Sequence, residues 1–242
     1  MKYSIIIPTL NEEKLLPNIL KQLSDQELKK KYDYEIIVSD GGSRDKTVEI
    51  AYQYSDMVKI HEDNKKQNIA EGRNLGAKHA NGEIFIFLNG DVLLPGVDNF
   101  FKYLESNFIN SNYLAMTCFV KVFPEEEMLA DKVFHTLFNN YFRLINNLGI
   151  GMGRGECHVI RKNVFERFNG YNEELAAGED FDLFTKIRRA GKILFSKDLF
   201  IFESPRRYRH LGYKYITWIW LVNGLSVFFK EKAISKEWEQ IR

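Results

Sequence analysis

The sequence contains little cysteine, little proline and almost no net charge. Its 242 residues include 2 cysteines and 5 prolines, and the formal net charge is +1. Because Cys118 and Cys157 have neither a Cys-x-x-Cys spacing nor further partners, a disulfide framework and a cysteine-based zinc site are excluded, and we expect two buried small residues in a reducing compartment. The near-neutral charge argues against a nucleic acid partner.

Long apolar runs are also absent. No stretch reaches the roughly 18 apolar residues of a membrane-spanning helix, because the longest candidate, residues 216–229, is interrupted by Asn223 and Gly224. The N-terminus starts with a short apolar run and lacks a signal-peptide cleavage site. We therefore expect a cytoplasmic protein, with peripheral contact to the inner face of the cell membrane as an open alternative.

The first part of the sequence alternates between strand and helix patterns. Apolar residues form 45% of the chain, which is enough for a sizeable core. Short apolar and β-branched runs predict strands at residues 3–7, 34–38, 57–60 and 84–88. With helical patterns between them, these strands predict an α/β fold whose mostly parallel central sheet is flanked by helices.

Capping residues locate the helices between these strands. The first helix is predicted to open at residues 11–13, where acidic side chains suit the helix dipole. Asp45 and Thr47 are placed to cap the next helix, and a third helix is predicted over residues 68–80. Small residues in this third helix indicate close packing on the sheet.

The second half of the chain is less regular. Strands are predicted at residues 114–123, 157–161, 193–195 and 199–202, and a long helix at residues 128–148. The apolar stripe of that helix consists of Leu129, Val133, Leu137, Tyr141, Leu144, Ile145 and Leu148. Core packing is the favoured interpretation of this stripe, and contact with lipid, a partner subunit or a lipid-borne acceptor is the alternative.

Three of the predicted strands end in polar turns, at residues 8–11, 40–42 and 89–91. The carboxyl ends of parallel strands meet at one edge of the sheet, where open α/β proteins bind their ligands. Asp91 is therefore a candidate ligand for a metal ion that holds a diphosphate. An ordinary Asn-Gly turn is the alternative.

Two later segments also carry polar residues in a loop setting. The glycine-rich residues 149–156 lack the strand and helix of a dinucleotide-binding fingerprint, so they predict a mobile loop beside a site. Glu179 and Asp180 follow Gly178 at a predicted helix N-terminus. These two acids are either ordinary helix-capping residues or catalytic residues.

Taken together, these motifs resemble those of the family 2 glycosyltransferases, a large inverting family of GT-A fold. The motifs occur in order at residues 5–13, 36–47, 73–76, 82–91 and 178–180. The set is specific although each motif alone is weak, and it covers roughly residues 1–205. The resemblance implies a GT-A (Rossmann-like) sheet, with residues 1–110 as the nucleotide-sugar-binding half, 111–205 as the acceptor-binding half and 206–242 as a basic and aromatic helical tail.

The resemblance implies a site for a nucleotide-diphosphate sugar, most simply a UDP-sugar. Asp40 matches the residue that contacts the base, and Arg73 matches a position close to the nucleotide. The other expected nucleotide-binding residues are Pro8, Thr9, Leu10, Glu12, Gly41, Asn89, Gly90 and Asp91. Without the resemblance, Asp40 is interpreted as a turn residue and Arg73 as a solvated helix arginine.

The family usually has an Asp-x-Asp motif that holds Mg²⁺ or Mn²⁺ against the diphosphate, and the ion stabilises the charge of the leaving group. This chain has Asn89-Gly90-Asp91, so the first carboxylate is replaced by an amide. Asp91 is kept as the expected metal ligand. We expect weaker metal binding, with the substrate phosphates supplying most of the ligands.

The resemblance also assigns the catalytic residues. Asp180 matches the base that takes the proton from the acceptor hydroxyl, and Glu179 is its helper or an acceptor ligand. We expect Asp180 to have an ordinary pKa and to be kept ionised by the helix N-terminus.

The C-terminal part supplies cations and aromatic residues. Arg154, Arg206 and Arg207 are candidate ligands for a phosphate of the donor or acceptor, since arginine suits bidentate phosphate recognition. The aromatic and apolar residues 213–229 resemble an interfacial membrane anchor. A dimer-forming or core-covering helix is an equally weighted alternative.

We therefore predict an inverting glycosyltransferase that uses metal-assisted direct displacement to move a sugar to an acceptor hydroxyl or lipid phosphate. The expected partners are a nucleotide-diphosphate sugar and a saccharide or lipid-linked acceptor. A sugar-phosphate nucleotidyltransferase is the enzymatic alternative, but residues 8–12 lack the Gly-rich, Lys/Arg-bearing loop of such enzymes. A non-catalytic nucleotide-sugar or glycan-binding module is the other alternative.

Overall fold

The computed structural model describes residues 1–62 and 67–230, and for residues 225 and 228–230 it describes the backbone alone. The strands are β1 (Tyr3–Thr9), β2 (Tyr34–Asp40), β3 (Met57–Ile60), β4 (Ile84–Leu88), β5 (Val92–Leu93), β6 (Tyr113–Val122), β7 (Cys157–Arg161) and β8 (Lys192–Glu203). The helices are α1 (Leu16–Leu23), α2 (Gln26–Tyr32), α3 (Thr47–Tyr54), α4 (Ile69–Lys78), α5 (Val97–Leu104), α6 (Leu129–Asn147), α7 (Lys162–Arg167), α8 (Glu179–Ala190), α9 (Arg206–Leu211) and α10 (Tyr213–Lys230). A π-helical turn, Glu105–Ile109, follows α5.

The eight strands of the described residues form one sheet in the order β3-β2-β1-β4-β7-β6-β8-β5. The first four strands of that order are parallel to one another, and β6 is parallel to β8. Strand β7 is antiparallel to both of its neighbours, and β5 is antiparallel to β8. The predicted α/β fold with a mostly parallel sheet is confirmed.

The central strands are buried on both faces, as their continuous apolar runs indicate. In β1, Ile5 and Ile7 pack with the α1 side chains on one face, whereas Ile6 packs with Ala70 and Ala77 of α4 on the other. This alternation follows from the two-residue period of a strand. As predicted, Cys118 and Cys157 are both buried and free.

Helix α1 begins at Leu16, so the prediction that it opens at residues 11–13 was wrong. Tertiary hydrogen bonds hold this segment as a loop: the backbone N–H of Asn11 donates to Ser43 Oγ at 2.7 Å, and that of Glu12 donates to Thr47 Oγ1 at 2.7 Å. Asn11 has a φ of 53°. The loop thereby brings Glu12 to the carboxyl edge of the sheet instead of into a helix.

Two other predictions of element boundaries differ from the structure. The strands expected at residues 193–195 and 199–202 are one strand, β8, whose register with β6 shifts after Ser196. Of the helical tail expected at residues 206–242, residues 231–242 lie outside the described part of the chain, and the described part is divided into α9 and α10 at Gly212. Within residues 1–62 and 67–230, the helices are either too short or too polar to cross a bilayer.

The stripe of α6 that was expected to pack in the core is largely exposed, with Leu129 78%, Leu137 64% and Leu148 70% exposed. The rotation of the helix is fixed by polar groups on its inner face. Asn139 accepts a hydrogen bond from the backbone N–H of Val120 at 3.1 Å and donates to its carbonyl at 2.8 Å. These bonds satisfy the backbone of β6 and turn the apolar stripe outward.

Candidate active site

Two adjoining cavities lie at the carboxyl edge of the sheet. We call the first, of about 470 Å³, the polar cavity, and the second, of about 400 Å³, the apolar cavity. Residues that line both cavities are Ile69, Asn89, Glu156, Ala176 and Trp220. Asn89 and Glu156 therefore mark a polar boundary at which the cavities meet.

The polar cavity is built from the ends of several strands. The sequence-predicted residues that line it are Pro8, Thr9, Leu10, Glu12, Gly41, Asn89, Gly90, Asp91, Arg206 and Arg207. They come from four separate segments, which follow β1, β2, β4 and β8. The strand order brings these four turns to one edge, where a single ligand can touch all of them.

Asp40 is fully buried, in contrast to the expected contact with a base. Its Oδ1 accepts hydrogen bonds from the N–H groups of Gly42 and Ser43, and its Oδ2 accepts from the hydroxyls of Thr9 and Ser43, at distances of 2.6–2.9 Å. A carboxylate that accepts four internal bonds fixes the shape of its loop. In this structure Gly41, rather than the Asp40 side chain, faces the cavity.

Arg206 bridges two acidic residues across the polar cavity. Its Nη2 lies 2.6 Å from Glu12 Oε1 and 2.9 Å from Asp91 Oδ2. Burial opposes the charge of Arg206, but its hydrogen bond to Glu12 and the nearby Asp91 charge raise its pKa. The guanidinium therefore stays charged and lies against the carboxylate that was predicted to bind the metal.

A metal ion at this place needs ligands from the substrate. Within the described part of the chain, no group of three or more His, Cys, Asp or Glu side chains is placed to hold an ion. Asp91 is 23% exposed at its side chain and lines the cavity. One such carboxylate plus phosphate oxygens is the usual binding mode of Mg²⁺, so the residues fit an ion that arrives with a diphosphate.

Arg73 lines the apolar cavity and contacts Asn89 at the boundary with the polar cavity. It is buried, and its Nη1 donates to Glu179 Oε1 at 2.7 Å while its Nη2 donates to the Gly155 carbonyl at 2.7 Å and to Asn89 Oδ1 at 3.3 Å. The alternative interpretation of Arg73 as a solvated helix arginine is wrong, because only 2% of the residue is exposed. This arginine ties the end of β4 to the start of α8.

Asp180 and Glu179 stand in the first turn of α8, and both line the apolar cavity. The preceding Gly178 has a φ of 82°, a left-handed conformation that glycine adopts without strain. A Cβ atom at this position would also lie 3.1 Å from Val227 Cγ2. The glycine thus allows the tight turn that brings the two acids to the cavity wall.

The pKa of Asp180 differs from the expected ordinary value. Burial and the negative charge of Glu179 together raise this pKa to about 7, against the opposing charge of Arg73. The backbone N–H of Phe181 donates to Asp180 Oδ1 at 2.7 Å, which favours the ionised form. This helix-end contribution is smaller than the cost of burial, so the expectation that the helix keeps the pKa ordinary was wrong.

Arg154 is buried in a polar network that the sequence did not reveal. Its guanidinium contacts Glu156 at 3.1 Å and Glu203 at 3.2 Å, and Tyr208 donates to Glu203 at 2.7 Å. Burial and the Glu156 charge raise the pKa of Glu203 well above its usual range. The sequence did show two opposite charges in the glycine-rich loop, Arg154 and Glu156. The third member of the network, Glu203, lies 49 residues from Arg154 along the chain, so the sequence did not indicate it.

The glycine-rich loop packs tightly against α8. A Cβ atom on Gly151 would lie only 1.9 Å from the carbonyl oxygen of Phe184, so the loop approaches the helix backbone as only glycine permits. Beyond this contact, the wall of the apolar cavity is formed by α6 and α10. Its apolar residues include Phe138, Tyr141, Phe142, Ile145, Ile150, Met152, Phe181, Trp220 and Leu221.

The family model described as "Glycosyl transferase family 2" matches residues 4–168. The O-antigen chain rhamnosyltransferase RfbN of Salmonella typhimurium is 28% identical over 201 residues, which are 79% of this chain and 62% of that protein. The human dolichyl-phosphate beta-glucosyltransferase is 30% identical over 155 residues, or 59% of this chain and 48% of that protein. The chain thus spans less than two thirds of the length of these curated relatives.

Solved structures show the same fold. The mannosyltransferase PcManGT from Pyrobaculum calidifontis, in complex with GDP-Man and Mn²⁺, superposes with a TM-score of 0.71 at 21% identity, covering 95% of this chain and 63% of that one. Residues 1–349 of TarS from S. aureus, in complex with UDP-GlcNAc, give a TM-score of 0.62 at 19% identity over 84% of this chain and 58% of that one. The fold is therefore GT-A.

Proposed function

Because the chain belongs to the family 2 glycosyltransferases, we propose that it binds a nucleotide-diphosphate sugar in the polar cavity and transfers the sugar, with inversion, to an acceptor in the apolar cavity. The observation that carries this proposal is the meeting of the two cavities at Asn89, beside the Arg73–Glu179 ion pair. A donor and an acceptor on opposite sides of that boundary suit a single in-line displacement.

In this proposal Asp180 is the general base. The acceptor oxygen attacks the anomeric carbon, its proton passes to the Asp180 carboxylate, and the bond to the diphosphate breaks on the opposite side. A pKa of about 7 supports this role, because a base titrating near the working pH combines availability with proton affinity. Glu179 acts through its ion pair with Arg73 and its charge beside Asp180, as a positioning residue.

The leaving diphosphate departs toward the cationic side of the polar cavity. Arg206 is placed to donate to phosphate oxygens when the phosphate replaces Glu12 or Asp91 as its partner or binds alongside them. Arg207 lines the same cavity and is the second candidate phosphate ligand. Arg154 is the weakest candidate, since its guanidinium is engaged by Glu156 and Glu203.

Asp91 would hold a Mg²⁺ or Mn²⁺ ion together with the diphosphate oxygens. Such an ion, when bound, stabilises the negative charge that develops on the nucleoside diphosphate. Support comes from the cavity-facing position of Asp91 and from PcManGT, whose complex contains Mn²⁺. Asn89 stands where a second carboxylate would be, and its amide oxygen accepts a hydrogen bond from Arg73.

The donor base is proposed to be uracil. TarS, one of the proteins of the same fold, binds UDP-GlcNAc, whereas PcManGT binds GDP-Man, so guanine is the alternative to test. The internal bonds of Asp40 support a role in shaping the loop from Gly41 to Ser43, whose backbone would face the base. A cytoplasmic reaction follows from the use of nucleotide sugars made there.

The test is a screen of UDP- and GDP-sugars with and without Mn²⁺, in which thermal shift reports binding and nucleoside diphosphate release reports turnover. We expect one UDP-sugar to stabilise the protein and to be slowly hydrolysed, with a larger shift when Mn²⁺ is present. Asp91→Ala should abolish the Mn²⁺-dependent part of the shift. Binding without any turnover would contradict the catalytic proposal and favour a nucleotide-sugar-binding module.

A further inference from the structure

The apolar cavity differs in polarity from one end to the other. Its charged lining residues are Arg73, Arg154, Glu156, Glu179 and Asp180. They all lie at or next to the boundary with the polar cavity, whereas the lining from α6 is aromatic or aliphatic, and that from α10 consists of Trp220, Leu221, Asn223 and Gly224. A ligand that fills this cavity must itself have a polar end and an apolar end.

The apolar end of the cavity continues onto an exposed surface. Tyr141 lines the cavity and is 45% exposed, and it belongs to the outward stripe of α6. On the other side, Leu221 of α10 lines the cavity and is 44% exposed. Trp220 of α10 packs against Phe138 and Phe142 of α6 at centroid distances of 5.4 and 6.3 Å and forms part of the cavity wall.

The charge balance at the polar end indicates what kind of head group fits. Three carboxyl groups face two guanidinium groups among the charged lining residues. Arg73 is engaged by Glu179 at 2.7 Å, and Arg154 is shared between Glu156 and Glu203. With both arginines engaged by carboxylates, a phosphate monoester would meet Asp180 without a cation to neutralise it, whereas hydroxyl groups can donate to the carboxylates.

We propose that the apolar cavity is an acceptor subsite for an amphiphile, whose uncharged, hydroxyl-bearing head lies at Asp180 and whose aliphatic chain leaves between α6 and α10. This inference rests on the proposed function, because it assigns the nucleophile to the head group. The acceptor oxygen is then a sugar-type hydroxyl and not a lipid phosphate.

The probes are methyl, n-hexyl and n-octyl β-D-glucoside, together with n-octyl phosphate. Each is titrated into the UDP-saturated protein by calorimetry below its critical micelle concentration. Burying each methylene is worth about 0.8 kcal/mol, so we expect about fourfold tighter binding per added methylene, and weaker binding of octyl phosphate than of octyl glucoside. Equal binding of methyl and octyl glucoside would overturn the subsite, and tighter binding of octyl phosphate would overturn the uncharged head group.

Variants separate the cavity from the exposed stripe. Tyr141→Lys places a charge at the cavity mouth and should remove the chain-length dependence while leaving the methyl glucoside and UDP affinities unchanged. Leu129→Lys makes the same charge change at the far, exposed end of α6, and this variant should keep the chain-length dependence. Loss in both variants would mean that the chains bind along the exposed stripe, and loss in neither would mean that they do not pass Tyr141. Either result would overturn the cavity assignment. Retained UDP binding verifies folding, and Leu221→Lys replaces Tyr141→Lys if that variant does not fold.

The two proposals fail in different ways. If the protein releases UDP from a UDP-sugar but shows no dependence on chain length, the glycosyltransferase proposal is retained and this inference is lost. If the chain-length dependence is present, octyl glucoside should also speed UDP release from the donor several-fold over the water reaction. Octyl glucoside that binds without accelerating release would overturn its assignment to an acceptor site.

Discussion

The two cavities meet at Asn89 but are built in different ways. The polar cavity is made from turns that follow parallel strands, and an arginine bridges its acidic residues. The apolar cavity is made from the sides of α6 and α10 and from a loop pressed against α8. In the proposed function, recognition of the donor therefore depends on the sheet, while recognition of the acceptor depends on how two helices are rotated.

The largest expected effect concerns the boundary between the cavities. Asp180→Asn keeps the size of the side chain but removes the base, so transfer should fall by about 10²–10⁴-fold while UDP affinity remains nearly unchanged. Steady-state kinetics and calorimetry check the two parts. Asp182→Asn, in the same helical turn but paired with Lys186, is the matched control and should retain transfer. Near-normal turnover of the Asp180 variant would rule out its role as base.

The next prediction tests the rotation of α6. Phe134 is buried in a cluster with Tyr208 and Ile216, so Phe134→Ala should lower the free energy of unfolding by about 3–5 kcal/mol. Leu148 is 70% exposed, so Leu148→Gln should change the free energy of unfolding by no more than about 0.5 kcal/mol. Denaturant titration measures both values. A large loss for Leu148→Gln would show that the stripe is covered in solution.

A third prediction concerns the cation of the polar cavity. Arg206→Ala should weaken UDP binding roughly 10- to 100-fold in the absence of added metal, because a charge-assisted hydrogen bond is worth about 1.5–3 kcal/mol. Binding of uridine, which has no phosphate, should be unaffected. The control is Arg209→Ala on the same helix, since Arg209 pairs with Asp131 instead. Equal loss of uridine and UDP binding would indicate a folding defect and not a phosphate contact.

The smallest expected effect is a shift in pH dependence. Since the proposed base must be deprotonated and its pKa is raised to about 7, kcat/KM should rise with pH and level off above that value. Glu179→Gln removes a negative charge beside Asp180, so the midpoint should move to lower pH. Asp182→Asn should leave it in place. A midpoint that stays fixed or moves upward in the Glu179 variant would contradict the coupling of the two acids.

The sequence was sufficient for most of the donor side. Three strand ends could be located from apolar runs, and the parallel order places their turns together, so most of the expected nucleotide-binding residues line one cavity. Asp40 and Arg73 are the exceptions, since Asp40 is fully buried and Arg73 lines the apolar cavity. The carboxylate of Asp40 accepts hydrogen bonds from the backbone N–H groups of its own loop, which compete with a ligand for it. The sequence motif does not reveal these bonds.

The acceptor side could not be obtained from sequence in the same way. The stripe of α6 has the period of a core-facing helix, but the hydrogen bonds of Asn139 with Val120 and the ion pair of Asp131 with Arg209 set its rotation. The pKa of Asp180 likewise depends on burial, which only the assembled fold defines. Interactions between distant segments decided both outcomes.

The bridge from Arg206 to Glu12 joins positions 194 residues apart in sequence. The family model matches residues 4–168, so this cation comes from a segment beyond the matched core. During synthesis, the ends of β1, β2 and β4 leave the ribosome well before Arg206, whereas β8 ends at Glu203, just before it. A nascent chain therefore passes through a stage in which β1, β2 and β4 can pair while Glu12 and Asp91 still lack this arginine. In the proposed function, docking of α9 then adds Arg206 and Arg207 to a donor site whose earlier turns are already synthesised, which makes that docking a late step in its assembly.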